Sequence, residues 1–153
     1  FTNFLSVVAG VTRQRFKEVM ENAVSRVEFT DGRFAQIAGF TMEYDPTGQP
    51  QIIDVESGLI TQTGDRVLNV TLDDGTPIVV EGVVQSGPAL NVVVNSFAAG
   101  GGDQYPLADL PSTTVGTTYQ QALRIFLEDA EFLGGSVSAA DYPVGGEGRI
   151  TTR

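Results

Sequence analysis

The chain has 153 residues, a formal net charge of -10 and 41% hydrophobic residues. That is enough chain for a real core, and its acidic balance argues against binding nucleic acid or anionic membranes through bulk charge. Cysteine and histidine are both absent, which removes disulfide and thiol chemistry, excludes Ser-His and Cys-His catalysis within this chain, and leaves a catalytic zinc site poorly supplied with ligands.

No apolar run approaches the roughly 18 residues that a spanning helix needs, and no signal peptide is visible. Phe1 opens an apolar segment with no preceding turn or Met, as a fragment or processed product would. Residues 5–8 read as a short strand. Thr12 is placed to cap a helix running to about residue 25. Phe16, Val19, Met20, Ala23 and Val24 recur at helical spacing and predict one buried stripe. Arg13, Arg15 and Lys17 crowd the start of that helix, where the dipole disfavours cations. They read either as a solvated first turn or as a phosphate site, since a bound anion would offset the cost.

Thr30-Asp31-Gly32 reads as a turn, residues 34–44 as a strand, and Asp45-Pro46-Thr47-Gly48 as the next turn. Residues 51–55 predict another strand. Residues 67–72 and 78–80 flank Asp73-Asp74-Gly75-Thr76, a strong hairpin signal in which Asp74 serves turn chemistry in preference to a metal. The apolar run 90–94 reads as a buried strand. It empties into Asn95-Ser96-Phe97-Ala98-Ala99 and then three consecutive glycines, Asp103, Gln104, Tyr105 and Pro106. Glycine permits positive φ and close backbone approach, so the strand delivers Phe97 to a loop that returns Asp103 beside it.

Residues 107–116 read as irregular. Thr117 or Thr118 caps a second helix to about residue 132, with Ala122, Leu123, Phe126, Leu127 and Ala130 as its core stripe and Gly134-Gly135 closing it. Residues 145–148 form a loop, and 149–152 a last strand. Several strands with two helices predict a single α+β, or mixed α/β, domain over residues 1–153.

Phe34 and Phe97 each stand beside a turn glycine at the end of a predicted strand. Residue chemistry leaves two readings open. Both are core phenylalanines, or they form a clamp for a flat heterocycle, where stacking is worth about 1–3 kcal/mol per base.

Several stretches then resemble one family in register. Phe97-x-x-x-Gly101-Gly102-Asp103-x-Tyr105-Pro106 is similar to the "N-D-F-x-x-G-G-D-G-Y" motif of the C-terminal domain of the 5'-nucleotidase family. Phe1-x-Asn3-x-Leu5 resembles its "P-F-G-N-x-L" entry strand, and Phe16-Lys17-Glu18-Val19-Met20-Glu21-Asn22-Ala23-Val24 its "L-K-E-V-L-E-N-A-V" helix. Gly32-Arg33-Phe34-Ala35-Gln36 resembles "G-x-F-x-Q", and Glu147-Gly148-Arg149-Ile150 the closing "E-G-R-I". Two positions depart from the pattern: Gln104 replaces a glycine, and Ser96 replaces an acid.

The resemblance implies two packed β-sheets flanked by helices. It implies a substrate-binding domain whose Phe34 and Phe97 sandwich a nucleobase, with Asp103 on the ribose side, Gly101 and Gly102 shaping the loop, and Arg13 or Arg15 near the sugar–phosphate part. Asn3 matches the entry-strand Asn, in a role that is either binding or structural. No cofactor or metal is implied in this domain. Two divalent metal ions are implied in a separate N-terminal metallophosphoesterase domain of the same polypeptide, which would hydrolyse the phosphate ester, with this piece inactive alone. The resemblance further implies a nucleotide or nucleoside ligand, no nucleic-acid partner, no membrane span, and a periplasmic or extracellular location. Alternatives are another ester (a UDP-sugar, a 2',3'-cyclic nucleotide or a thiosulfonate) or a non-catalytic surface binding module.

Overall fold

The computed structural model describes residues 3–129 and 131–153; Phe1 of the entry-strand motif, Thr2, and Ala130 of the expected second stripe lie outside the described residues. The chain runs through β1 (Phe4–Val11), α1 (Arg13–Ala23), β2 (Phe40–Tyr44), β3 (Ile52–Ile53), β4 (Ile60–Gln62), β5 (Val67–Leu72), β6 (Pro77–Val80) and β7 (Val83–Val84). It continues through β8 (Leu90–Asn95), α2 (Ser96–Ala99), β9 (Ser112–Thr118), α3 (Tyr119–Glu128) and β10 (Ile150–Thr152). One sheet has three strands in the order β8-β1-β9, a second has five in the order β10-β2-β5-β6-β7, and β3-β4 form a separate pair. This is the mixed α+β architecture that the alternation of strand and helix patterns predicts.

Helix α1 follows its sequence pattern closely. The Thr12 side chain accepts from the Arg15 amide at 3.1 Å, capping the first turn. Phe16, Val19, Met20, Ala23 and Val24 are all buried. They join Val8 and Val11 of β1, Met42 of β2, Val70 of β5 and Ile78 of β6 in the protein core, so both large sheets share an apolar interior with α1. Each of these side chains larger than Ala23 contributes roughly 1.5–3 kcal/mol by leaving water.

Polar groups lock the helix in place. Glu21 is 2% exposed, and its carboxylate accepts from the backbone amides of Arg66 at 3.1 Å and Val67 at 3.0 Å. Burial pushes this carboxyl above its ordinary value, against the pull of the Val67 amide and of Lys17. Arg66, equally buried, donates to the carbonyls of Val24 and Gly48 and is paired with Glu28. Losing the Glu21 acceptor would strand two buried amides at about 1–3 kcal/mol each.

Several sequence expectations change. The strand expected over 34–44 is ordered only as β2, because its partner runs out: Phe40 pairs with Leu72, and the chain then turns at Asp73. The 51–55 strand shrinks to β3, since Asp54 accepts from the amide and hydroxyl of Ser57 and closes a turn. Residues 112–116, expected to be irregular, belong to β9 (Ser112–Thr118), paired along β1 with a register shift near Gly116 (φ 81°). Strand β8, expected to be buried, is half-open: Val93 is 60% exposed while Val92 and Val94 pack on the core.

Helix α3 differs most in packing. Thr118 and Gln121 form a reciprocal capping box, but no residue of the helix is buried, and it ends at Glu128. Leu123 is 57% exposed, and Phe126 packs on Phe132 and Tyr142, with ring centroids 5.5 and 6.4 Å apart. The stripe is amphipathic as read, but it is not core here. The 73–76 hairpin turn forms as expected, with Asp74 accepting from the Thr76 amide at 2.8 Å.

Strand β10 runs parallel to β2, and Arg153 just beyond it ties it to the sheet. The Arg153 guanidinium donates to Glu81 at 2.7 and 2.9 Å and to Glu43 at 3.1 and 3.0 Å. Arg153, then Asn69, holds the Glu81 carboxyl down to about 2 from the ordinary 4.5. Because the folded value is the lower one, this stabilisation is complete above pH 4.5 and is lost as pH falls toward 2. Urea melts between pH 2 and 6 are expected to show that slope, and Arg153→Ala is expected to flatten it.

Candidate functional site

Residues 96–106 are shaped by caps. The Asn95 side chain accepts from the Ala98 amide at 2.8 Å and starts the single turn α2, which carries Phe97 on its outer side. Gly101 then takes φ 87°, and Asp103 and Gln104 take φ 51° and 60°. Left-handed backbone at two non-glycine residues costs roughly 1–2 kcal/mol each. The turn is held by Asn22 of α1, whose amide donates to the Asp103 carbonyl at 3.0 Å.

Phe97 is 50% exposed, and its ring covers Gly102. A Cβ at Gly102 would stand 2.5 Å from two carbons of that ring, so the ring keeps its place because residue 102 has no side chain. Phe34 lies on the 33–39 loop, half-buried, with its ring 6.4 Å from that of Tyr44 at 60°. It packs against the core cluster.

Phe34, Phe97 and Asp103 line one cavity of about 750 Å³, floored by Phe16, Met20 and Val92. Neither phenyl ring is sealed in the interior. The Asp103 residue is exposed, and its carboxylate accepts no hydrogen bond among the described residues. Phe34 also lines a second cavity of about 720 Å³, beside Tyr44, Tyr142 and the 145–148 glycine loop.

The other sequence candidates lie elsewhere. Arg13 donates to the carbonyls of Pro77 at 2.9 Å and Pro88 at 3.4 Å, its guanidinium lying against Gly87. Arg15 makes two bonds to the Asp109 carboxylate, at 3.1 and 3.2 Å, and one to the Pro106 carbonyl at 2.9 Å. Carbonyls and the carboxylates of Glu18, Glu21 and Asp109 thus offset the cationic helix start. Neither arginine lines the cavity, and nor does Asn3, whose carbonyl accepts from the Tyr119 amide at 3.1 Å. Gly101 and Gly102 shape the loop beneath Phe97.

Arg33 and Tyr105 stand on the cavity wall and were not singled out from the sequence. The Tyr105 hydroxyl donates to the Arg33 carbonyl at 2.5 Å, joining the two loops that carry the phenyl rings. Burial, with Asp103 nearby, pushes that phenol up to about 12. The signal was adjacency: each residue is a motif neighbour of a candidate already chosen. Among the described residues, no group of three or more acidic, His or Cys side chains could hold a metal ion, and no helix is long and apolar enough to cross a membrane.

The architecture places an aromatic, half-open cavity between the 33–39 loop, strand β8 and the glycine loop. Residues 1–109 match the family model described as the C-terminal domain of 5'-nucleotidase, and the chain belongs to that family. A curated relative, the trifunctional nucleotide phosphoesterase protein YfkN of Bacillus subtilis (strain 168), is 28% identical over 131 residues, covering 86% of this chain and 8% of the relative. A 5'-nucleotidase precursor from Thermus thermophilus superposes with a TM-score of 0.69 at 23% identity, covering 99% of this chain and 25% of that one. The NAD nucleotidase NadN of Haemophilus influenzae gives 0.57 at 16% identity, over 100% of this chain and 25% of that one. The chain therefore spans a quarter or less of each of these three proteins, and at these identities the two structures bear on the fold alone.

Gly102→Ala is expected to drive the Phe97 ring off its seat with little loss of stability, since a half-exposed side chain can swing outward. NOEs between the Phe97 ring protons and the residue 102 α-protons are expected in the parent chain and absent in the variant.

Proposed function

We propose that this chain is the substrate-binding domain of a 5'-nucleotidase-type phosphohydrolase, and that it holds a nucleobase between Phe34 and Phe97. The carrying observation is that these two rings, 63 positions apart in sequence (97 minus 34), line the same open cavity. A flat, polarisable base gains about 1–3 kcal/mol from stacking on an aromatic face. The apolar floor of Phe16, Met20 and Val92 excludes water from the base edge.

Asp103 takes the ribose in this reading. Its carboxylate stands at the cavity wall without a protein donor among the described residues, and a carboxylate can accept from two vicinal hydroxyls. Arg15 supports the loop from behind through the Pro106 carbonyl, and Arg13 braces the helix start against the Pro77 and Pro88 carbonyls. Phosphate ester cleavage belongs to a separate dimetal domain of the same polypeptide, where two divalent ions activate water. This domain supplies binding and orientation. The proposal includes the location outside the cytoplasm that the resemblance implies.

The curated relative is named as a nucleotide phosphoesterase, which supports a nucleotide-type substrate over a thiosulfonate ester. Isothermal titration of the 153-residue chain with inosine is expected to show binding that Phe34→Ala and Phe97→Ala each weaken about 5- to 100-fold, with circular dichroism unchanged. The same protein with Mn²⁺ is expected to release no phosphate from AMP. Unaltered inosine affinity in both variants would remove the clamp, and phosphate release would remove the division of labour.

A further inference from the structure

Arg33 is the single cationic residue on the described wall of the cavity, and Asp103 the single anionic one. They do not pair with each other among the described residues. Arg33 is instead held from outside the cavity. Its Nε donates to Asp31 Oδ1 at 3.0 Å, its backbone amide donates to the same oxygen at 3.1 Å, and its Nη1 donates to Gln104 Oε1 at 3.2 Å. The side chain is 10% exposed.

A guanidinium has five N–H donors in one plane, and those bonds use two of them. Nη2 carries no hydrogen bond among the described residues, yet no described side-chain nitrogen is both buried and unpartnered. That nitrogen is therefore not sealed in the interior, and Arg33 lines the cavity one residue from Phe34. Gln104 keeps a left-handed backbone, φ 60°, while its side chain bridges to Arg33. This is the position where the family pattern has glycine, so the strut is a feature of this chain and is kept despite the conformational cost.

Resting on the nucleobase reading above, we propose that Arg33, fixed by Asp31 and Gln104, is a specificity-determining residue that makes the cavity prefer 6-oxopurines over adenine. Guanine and hypoxanthine present O6 and N7 side by side, both acceptors, which a donor-only guanidinium matches. Adenine replaces the O6 acceptor with an amino donor, which faces the guanidinium unfavourably. Of the neutral amides on the wall, Gln36 and Asn91 offer donor and acceptor alike and favour neither base, while Asn95 spends its oxygen on the Ala98 amide. Arg33 contacts the base edge in this account. Gln104, which is not on the cavity wall, is a positioning residue.

The test compares inosine with adenosine, which differ at position 6, by calorimetric titration of the 153-residue chain. Inosine is expected to bind about tenfold tighter. Arg33→Lys keeps the charge and loses the planar fork, and is expected to bring the ratio below about threefold. Gln104→Ala, which frees one corner of the guanidinium, is expected to narrow it by a smaller factor with the melting temperature held. Phe34→Ala is expected to weaken both nucleosides alike and leave the ratio standing. Equal binding of the two nucleosides overturns the Arg33 assignment and leaves the clamp intact. A ratio that survives Arg33→Lys overturns it as well, as does a loss in Arg33→Lys confined to AMP and IMP, which would give Arg33 to the phosphate. Binding of neither nucleoside removes the clamp and this inference together.

Discussion

Two neighbouring residues of α1 organise the molecule. Glu21 turns its buried carboxylate toward β5 and receives the amides of Arg66 and Val67. Asn22, one position on, turns another way and holds the Asp103 carbonyl. Consecutive helical side chains point about 100° apart. One helix therefore grips a sheet with one residue and the glycine loop with the next. A carboxylate without water demands its full set of donors, which makes the helix position hard to shift. The loop inherits that rigidity.

The cavity follows from this frame. The glycine loop could not keep Asp103 and Gln104 in left-handed backbone without outside support. It has Asn22 beneath, Arg15 at its end through the Pro106 carbonyl, and Tyr105 reaching across to the Arg33 carbonyl. The last bond couples the two phenyl-bearing segments directly. Preorganisation of this kind lowers the ordering cost of binding, which suits a domain whose contribution is position rather than chemistry.

Much of the fold is legible in the sequence. Thr12 and the α1 stripe, the Asp-Gly hairpin between β5 and β6, and the Thr118 cap each rest on local chemistry that tertiary context left undisturbed. What was not legible depended on partners. Residues 34–39 continue the apolar pattern of a strand, but β5 turns away at Asp73 and leaves them no edge to pair with. Residues 112–116 read as irregular after Pro111, yet the stretch 112–118 is rich in β-branched threonine and finds the open edge of β1. The α3 pattern says which face is apolar and not what lies against it, so Leu123 and Ile125 stand exposed. At the candidate site, spacing and resemblance together selected Phe34, Phe97 and Asp103, which line one cavity. Arg33 escaped notice because its importance lies in three contacts, two of them made by residues far along the chain and one across a turn.

The central claim is a base held between two particular rings, and a crystal structure of the chain soaked with inosine tests it most directly. The account predicts density for the purine between Phe34 and Phe97, each ring about 3.5–4 Å from one face of the heterocycle. Purine density against the second cavity beside Tyr142, or stacked on one ring with the other turned to solvent, would contradict it.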